Sequence, residues 1–96
     1  MEDRIPVIEI DLTNISSSED LHTALKEALE FPSFYGMNWN AFWDAITGLI
    51  EMPETLRLKG WAVFSQRLPD EAQYLSSCLD YLTQQFPEWS SKVERI

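Results

Sequence analysis

Residues 31–51 read FPSFYGMNWNAFWDAITGLIE, and the folding of this stretch decides the rest of the chain. Four Trp, three Tyr and five Phe make twelve aromatic residues, and six of them lie between Phe31 and Trp43. Pro32 ends whatever helix precedes it. Phe34-Tyr35-Gly36-Met37-Asn38 is expected to be a loop, with Gly36 free to take a positive φ. From Trp39 to about Ile50 the apolar spacing is helical, and Pro53 limits its extent. At about 100° per residue, Trp39, Phe42, Trp43, Ala45, Ile46, Leu49 and Ile50 cover one broad apolar sector. Asn40, Asp44, Thr47, Gly48 and Glu51 fall opposite. That second sector is small, polar and negative, with Asp44 near its middle and Asn40 one turn before it. Trp39 and Trp43 lie at the boundary and are expected to be partly exposed.

The charge around this segment is one-sided. No Lys or Arg occurs from Glu27 to Leu56, whereas Glu27, Glu30, Asp44, Glu51 and Glu54 are acidic. Rings set in a negative field suit a surface that binds a cationic protein. Taken singly, each aromatic is an ordinary core candidate and Asp44 an ordinary solvated residue. Their concentration in one segment carries the functional reading.

Working outward, Ile5 to Leu12 alternates as a strand, with Val7, Glu9 and Asp11 opposite Ile8, Ile10 and Leu12. Ser16-Ser17-Ser18 supplies turn and N-cap residues for a helix to about Glu30, with Leu21, Leu25 and Leu29 on one stripe. On the other side, Thr55 to Leu58 reads as a short strand. Gly60 to Leu68 (GWAVFSQRL) reads equally as strand or short helix. Pro69 suits a helix start, and Asp70 and Glu71 suit its positive end. That helix runs to about Gln85, with Leu75, Cys78, Leu79 and Leu82 inward, and Lys92 to Ile96 is a terminal strand. The order β-α-α-β-(α)-α-β implies an α/β fold with a small parallel sheet covered by helices.

Ninety-six residues, 45 % of them apolar, are expected to form one domain. No segment has the apolar length of a membrane span. MEDRIPVIEI lacks the basic start and apolar run of an export signal. The single cysteine, Cys78, reads as a core residue, and a cytoplasmic location is expected. Sixteen acidic residues against seven basic ones give a net charge of −9. Such a surface repels nucleic acid and anionic membranes and attracts basic proteins, and it also serves plain solubility. The only histidine, His22, has no evident catalytic partner and reads as a local hydrogen-bonding residue. No nucleophile–base pair, glycine-rich phosphate loop or Cys/His metal spacing is present. No enzymatic activity, metal or cofactor is therefore expected.

Pro32-x-Phe34-Tyr35-Gly36-x-Asn38-x-x-Ala41-x-Trp43-Asp44-x-x-Thr47-Gly48 resembles the central motif of the barstar family of ribonuclease inhibitors. Asp20-Leu21-His22, Pro53 and the strand after it also match, so the resemblance covers nearly the whole chain, more weakly in the last third. It implies a three-stranded parallel sheet packed with three to four helices, including a short helix after Gly60. It further implies a monomeric, intracellular immunity protein or antitoxin that plugs the active site of a basic ribonuclease. The motif aspartate, Asp44, would occupy the pocket for an RNA phosphate. Phe34, Asn38, Trp39, Asn40, Trp43, Thr47, Gly48 and Glu51 match further contact positions, with Tyr35 and Gly36 in the same loop. Asn40 stands where the family has a second aspartate, Phe34 replaces a tyrosine, Trp39 an aliphatic residue, and Leu49 a tryptophan. Asp80 is a candidate for the acidic residues that members carry late in the last long helix. A cognate toxin other than barnase fits these departures. The alternative is an adaptor of the same fold with a partner that is not a nuclease.

Overall fold

The computed structural model of the protein describes residues 4–96. The reading of Met1-Glu2-Asp3 as the start of a segment unlike an export signal lies outside the described residues. Strand β1 (Val7–Asp11) leads to helix α1 (Ser18–Leu29), helix α2 (Trp39–Asp44) and a π-helical segment (Ala45–Leu49). Strand β2 (Thr55–Lys59), helices α3 (Trp61–Arg67) and α4 (Pro69–Gln85), and strand β3 (Lys92–Arg95) complete the chain. The three strands are parallel in the order β1-β2-β3. The architecture expected from sequence is therefore the one observed.

Alternation sets which face of the sheet is covered. Ile10, Leu12, Leu56 and Leu58 are buried under the helices. Between them, Glu9, Arg57 and Glu94 align across the other face. Arg57 Nε donates to Glu94 Oε1 at 2.9 Å, and Arg57 Nη1 lies 3.7 Å from Glu9 Oε1. Helix α1 starts where Ser17 Oγ accepts from the Asp20 amide, and it buries Leu21, Leu25 and Leu29. Each such leucine contributes about 1.5–3 kcal/mol by leaving water. Helix α4 buries Ala72, Leu75, Leu79 and Leu82. Cys78 is only partly buried, at the edge of that stripe rather than inside the core.

The ambiguous stretch after Gly60 is helical. Gly60 takes φ +74°, and a Cβ there would collide with Thr13, so the turn requires glycine. Gly60 and Trp61 both donate to the Ile96 carbonyl, which commits the chain to a turn before α3 rather than to a continuing strand.

Two expectations for the central segment are corrected. The expected helix Trp39–Ile50 is α-helical only to Asp44, after which the Ile50 amide bonds to the Ala45 carbonyl, a π-type i→i+5 pairing. The wider turn shifts the phase of the last residues, so Leu49, placed in the apolar sector by α-helical spacing, is 47 % exposed. Gly36 does not adopt a positive φ. The left-handed residue is its neighbour Met37, at φ 59°. What Gly36 provides is close approach, because an added Cβ would lie 3.2 Å from the Ala41 Cβ.

Candidate partner-binding face

The loop before α2 is built from its own hydrogen bonds. The Tyr35 amide donates to the Pro32 carbonyl, closing a turn with Ser33 and Phe34 at its tip. Phe34 consequently stands 72 % exposed. Asn38 caps α2: its Oδ1 accepts from the Ala41 amide at 2.8 Å, and its Nδ2 donates to the Gly36 carbonyl at 3.2 Å. The Asn38 side chain is thus engaged in holding the helix start.

Tyr35 is buried, and its hydroxyl lies 2.7 Å from His22 Nδ1. His22 itself is fully buried and hydrogen-bonded, as the sequence reading has it, but the bond is not local: its partner is thirteen residues away. Burial lowers the His22 pKa, partly offset by the nearby Glu71 carboxylate, and keeps the ring neutral near pH 7. The Trp39 ring stands edge-on to His22 at 4.6 Å, and Trp39 Nε1 donates to Glu71 Oε1 at 3.1 Å. Loop, α2, α1 and α4 are thereby joined through one buried node. Its Tyr35 hydroxyl is pushed far above the usual phenol range by burial.

On the outer side of α2 the residues are open. Asn40, Asp44, Gly48 and Glu51 are exposed, and Thr47 is half-buried with its hydroxyl donating to the Trp43 carbonyl at 2.6 Å. Among the described residues, no ion pair or hydrogen bond reaches the Asp44 carboxylate. Gly48 has nothing within 4 Å of where a Cβ would stand. Its φ is not positive, so neither packing nor backbone conformation within the chain requires a glycine there.

Trp39 and Trp43 are half-buried, as their boundary position implies. Each lies against an exposed tyrosine of α4. Trp39 stacks on Tyr74 with centroids 6.0 Å apart, and Trp43 tilts on Tyr81 at 5.2 Å. The two tyrosines, 54 % and 51 % exposed, extend the aromatic border onto α4. Sequence reasoning did not single them out, although their seven-residue spacing, two helical turns, is a visible signal. Asp80 is exposed on the same helix, away from the core stripe.

The arginines are engaged by groups of the chain itself. Arg4 bonds to the carbonyls of Met52, Pro53 and Ser90 at 2.8, 2.7 and 2.9 Å. Arg67 bonds to those of Thr13 and Ile15, Arg57 pairs with Glu94, and Arg95 lies 5.0 Å over the Trp61 ring. Of these, Arg4 adjoins Thr47, Gly48 and Glu51 at the end of the face, with its guanidinium held on backbone carbonyls. Among the described residues no cluster of His, Cys, Asp or Glu suits a metal ion, and no helix is long and apolar enough to cross a membrane.

The chain is 44 % identical over 54 residues to a Bacillus subtilis (strain 168) protein named "Putative ribonuclease inhibitor YrdF". The match spans 56 % of this chain and 59 % of that relative, so it covers less than two thirds of the relative's length. The profile described as Barstar (barnase inhibitor) matches residues 5–94. That family is one of inhibitors rather than enzymes. With nearly the whole length matched, the chain belongs to the Barstar (barnase inhibitor) family.

Proposed function

We propose that this protein inhibits a basic ribonuclease by seating the loop and helix face of residues 34–51 in the enzyme's cationic cleft. Asp44 takes the place of an RNA phosphate. A ribonuclease site is a concave, positive groove shaped for a phosphodiester. A carboxylate on a rigid helix offers the same charge with no bond to cleave. The observation that carries the reading is the open Asp44 carboxylate, on a face bordered by aromatic rings and with no ion-pair partner among the described residues. Tyr35 holds the loop from behind that face and the exposed Asn38 caps the helix start, while Phe34, Trp39, Trp43, Gly48 and Glu51 form its surface. Family membership and the name of the Bacillus relative point the same way.

The replacement of the family's second aspartate by Asn40 leaves one fewer charge for the partner to meet, which favours a cognate enzyme other than barnase. The experiment is a stoichiometric titration of RNA cleavage by barnase and other basic barnase-like ribonucleases. Inhibition with a sharp endpoint at one inhibitor per enzyme, weakening as salt rises, is the expected result. Full cleavage by every such enzyme at excess protein contradicts the proposal.

A further inference from the structure

Beyond Asp44, the outer face ends in a recess of about 250 Å³ where the π segment meets the loop after α4. Resting on the inhibitor reading, we propose that this recess receives an arginine side chain of the basic partner, held by Glu51, Glu88 and Trp89. Its size suits one side chain better than a drug-sized ligand. The floor is Ile46 and Met52, each 2 % exposed, an apolar bed for an aliphatic stem. Gly48 forms one wall, and its missing side chain keeps the entrance open.

The rim supplies the recognition chemistry. Trp89 is 51 % exposed and stacks one ring face on Phe86, with centroids 4.7 Å apart and planes within 8°, leaving the other face for a cation. Glu51 and Glu88 are exposed, and among the described residues neither carboxylate has an ion-pair partner. Arg4 also lines the recess, and its guanidinium donates to the backbone carbonyls of Met52, Pro53 and Ser90 and, at 3.4 Å, to those of Glu88 and Trp89. Two carboxylates against this one guanidinium leave the recess with a net negative charge. A planar guanidinium can stack on the indole and take a carboxylate in two parallel hydrogen bonds, which an ammonium cannot. Arginine is therefore favoured over lysine.

The test needs no nuclease. The protein is titrated with N-acetyl-arginine N-methylamide and, separately, with its neutral citrulline isostere, while the four Trp indole N–H signals are followed by NMR. A saturable shift at Trp89 with the arginine compound alone is expected. The Glu51→Gln/Glu88→Gln double variant should weaken it by about fivefold or more, as loss of two partly exposed charge contacts implies. Equal response to the citrulline compound, a response confined to Trp39, Trp43 or Trp61, or no shift at all overturns the proposal. Because this titration is independent of RNA cleavage, it can fail while inhibition stands, and the reverse. In a complex with an inhibited ribonuclease, Glu88→Gln should weaken affinity about two- to fivefold, and an unchanged affinity there also overturns it.

Discussion

Replacing Gly48 with alanine sets stability and binding in opposition, which no purely structural role for this glycine would do. The residue lies inside the π-helical segment, is exposed, and has no atom within 4 Å of the Cβ position. Alanine there meets no clash, and it reduces the freedom of the unfolded chain. The expected gain is about 0.5–1 kcal/mol. For a domain of this size that raises Tm by about 2–8 °C. At a close-packed interface the same methyl group is an intrusion, and overpacking of that kind costs about 1–3 kcal/mol. Affinity for an inhibited ribonuclease should then fall by roughly 5- to 150-fold. Thermal melts and calorimetric titration of one purified variant give both numbers. A lower Tm would show that the fold itself needs glycine at this position. A raised Tm with unchanged affinity would place Gly48 outside the contact, and the reasoning that joins it to Asp44 would fail.

Acid should loosen the node behind the face. The buried His22 has a folded-state pKa below its unfolded value, so between those two values the unfolded chain binds more protons and stability rises with pH. Stability attributable to His22 is therefore full above about pH 6.5 and is lost on acidification below it, at a slope of at most about 1.4 kcal/mol per pH unit. Urea melts from pH 7.5 to 5 should show this slope in the wild type and a flatter line for His22→Gln; parallel lines would remove His22 from the account. Tyr35→Phe removes the partner of His22 Nδ1 from a buried site and should cost about 1–3 kcal/mol in the same melts; a loss below about 0.5 kcal/mol would mean that the pair does not hold the loop. Asn40→Asp places a carboxylate in the first turn of α2, which has no acidic residue, and should add about 0.3–1 kcal/mol of stability through the helix dipole. Stopped-flow association of that variant with the ribonuclease should be faster at low salt and converge on wild type as salt rises; a slower rate would argue against a cationic partner surface.

Most of the architecture could be read from local pattern. The alternation of Ile8, Ile10 and Leu12, the leucine stripe of α1 and Pro69 at the start of α4 each specify an element without help from distant residues. The stretch after Gly60 could not be read that way. Trp-Ala-Val-Phe suits strand or helix, and the deciding bonds come from Ile96, at the other end of the chain. The resemblance to the family supplied the helix where propensity could not. The outward pair Asn40 and Asp44 was legible because the α-helix holds through Asp44. The π segment then altered the phase, and α-helical spacing misplaced Leu49. The backing of the face was hidden for a different reason. His22, Glu71 and the pair Tyr35 and Trp39 come from three separate stretches, and their contacts exist only after packing.

The central claim is that the Asp44 carboxylate stands in for a substrate phosphate. It is tested most directly by calorimetric affinity for an inhibited basic ribonuclease, measured for the wild type and for the Asp44→Ala and Asp44→Asn variants alongside their melting temperatures. Both variants should bind at least about thirtyfold more weakly, a loss of about 2 kcal/mol or more, with Tm within about 2 °C of wild type. Affinity that survives Asp44→Asn within about threefold would show that the charge is not what the enzyme recognises.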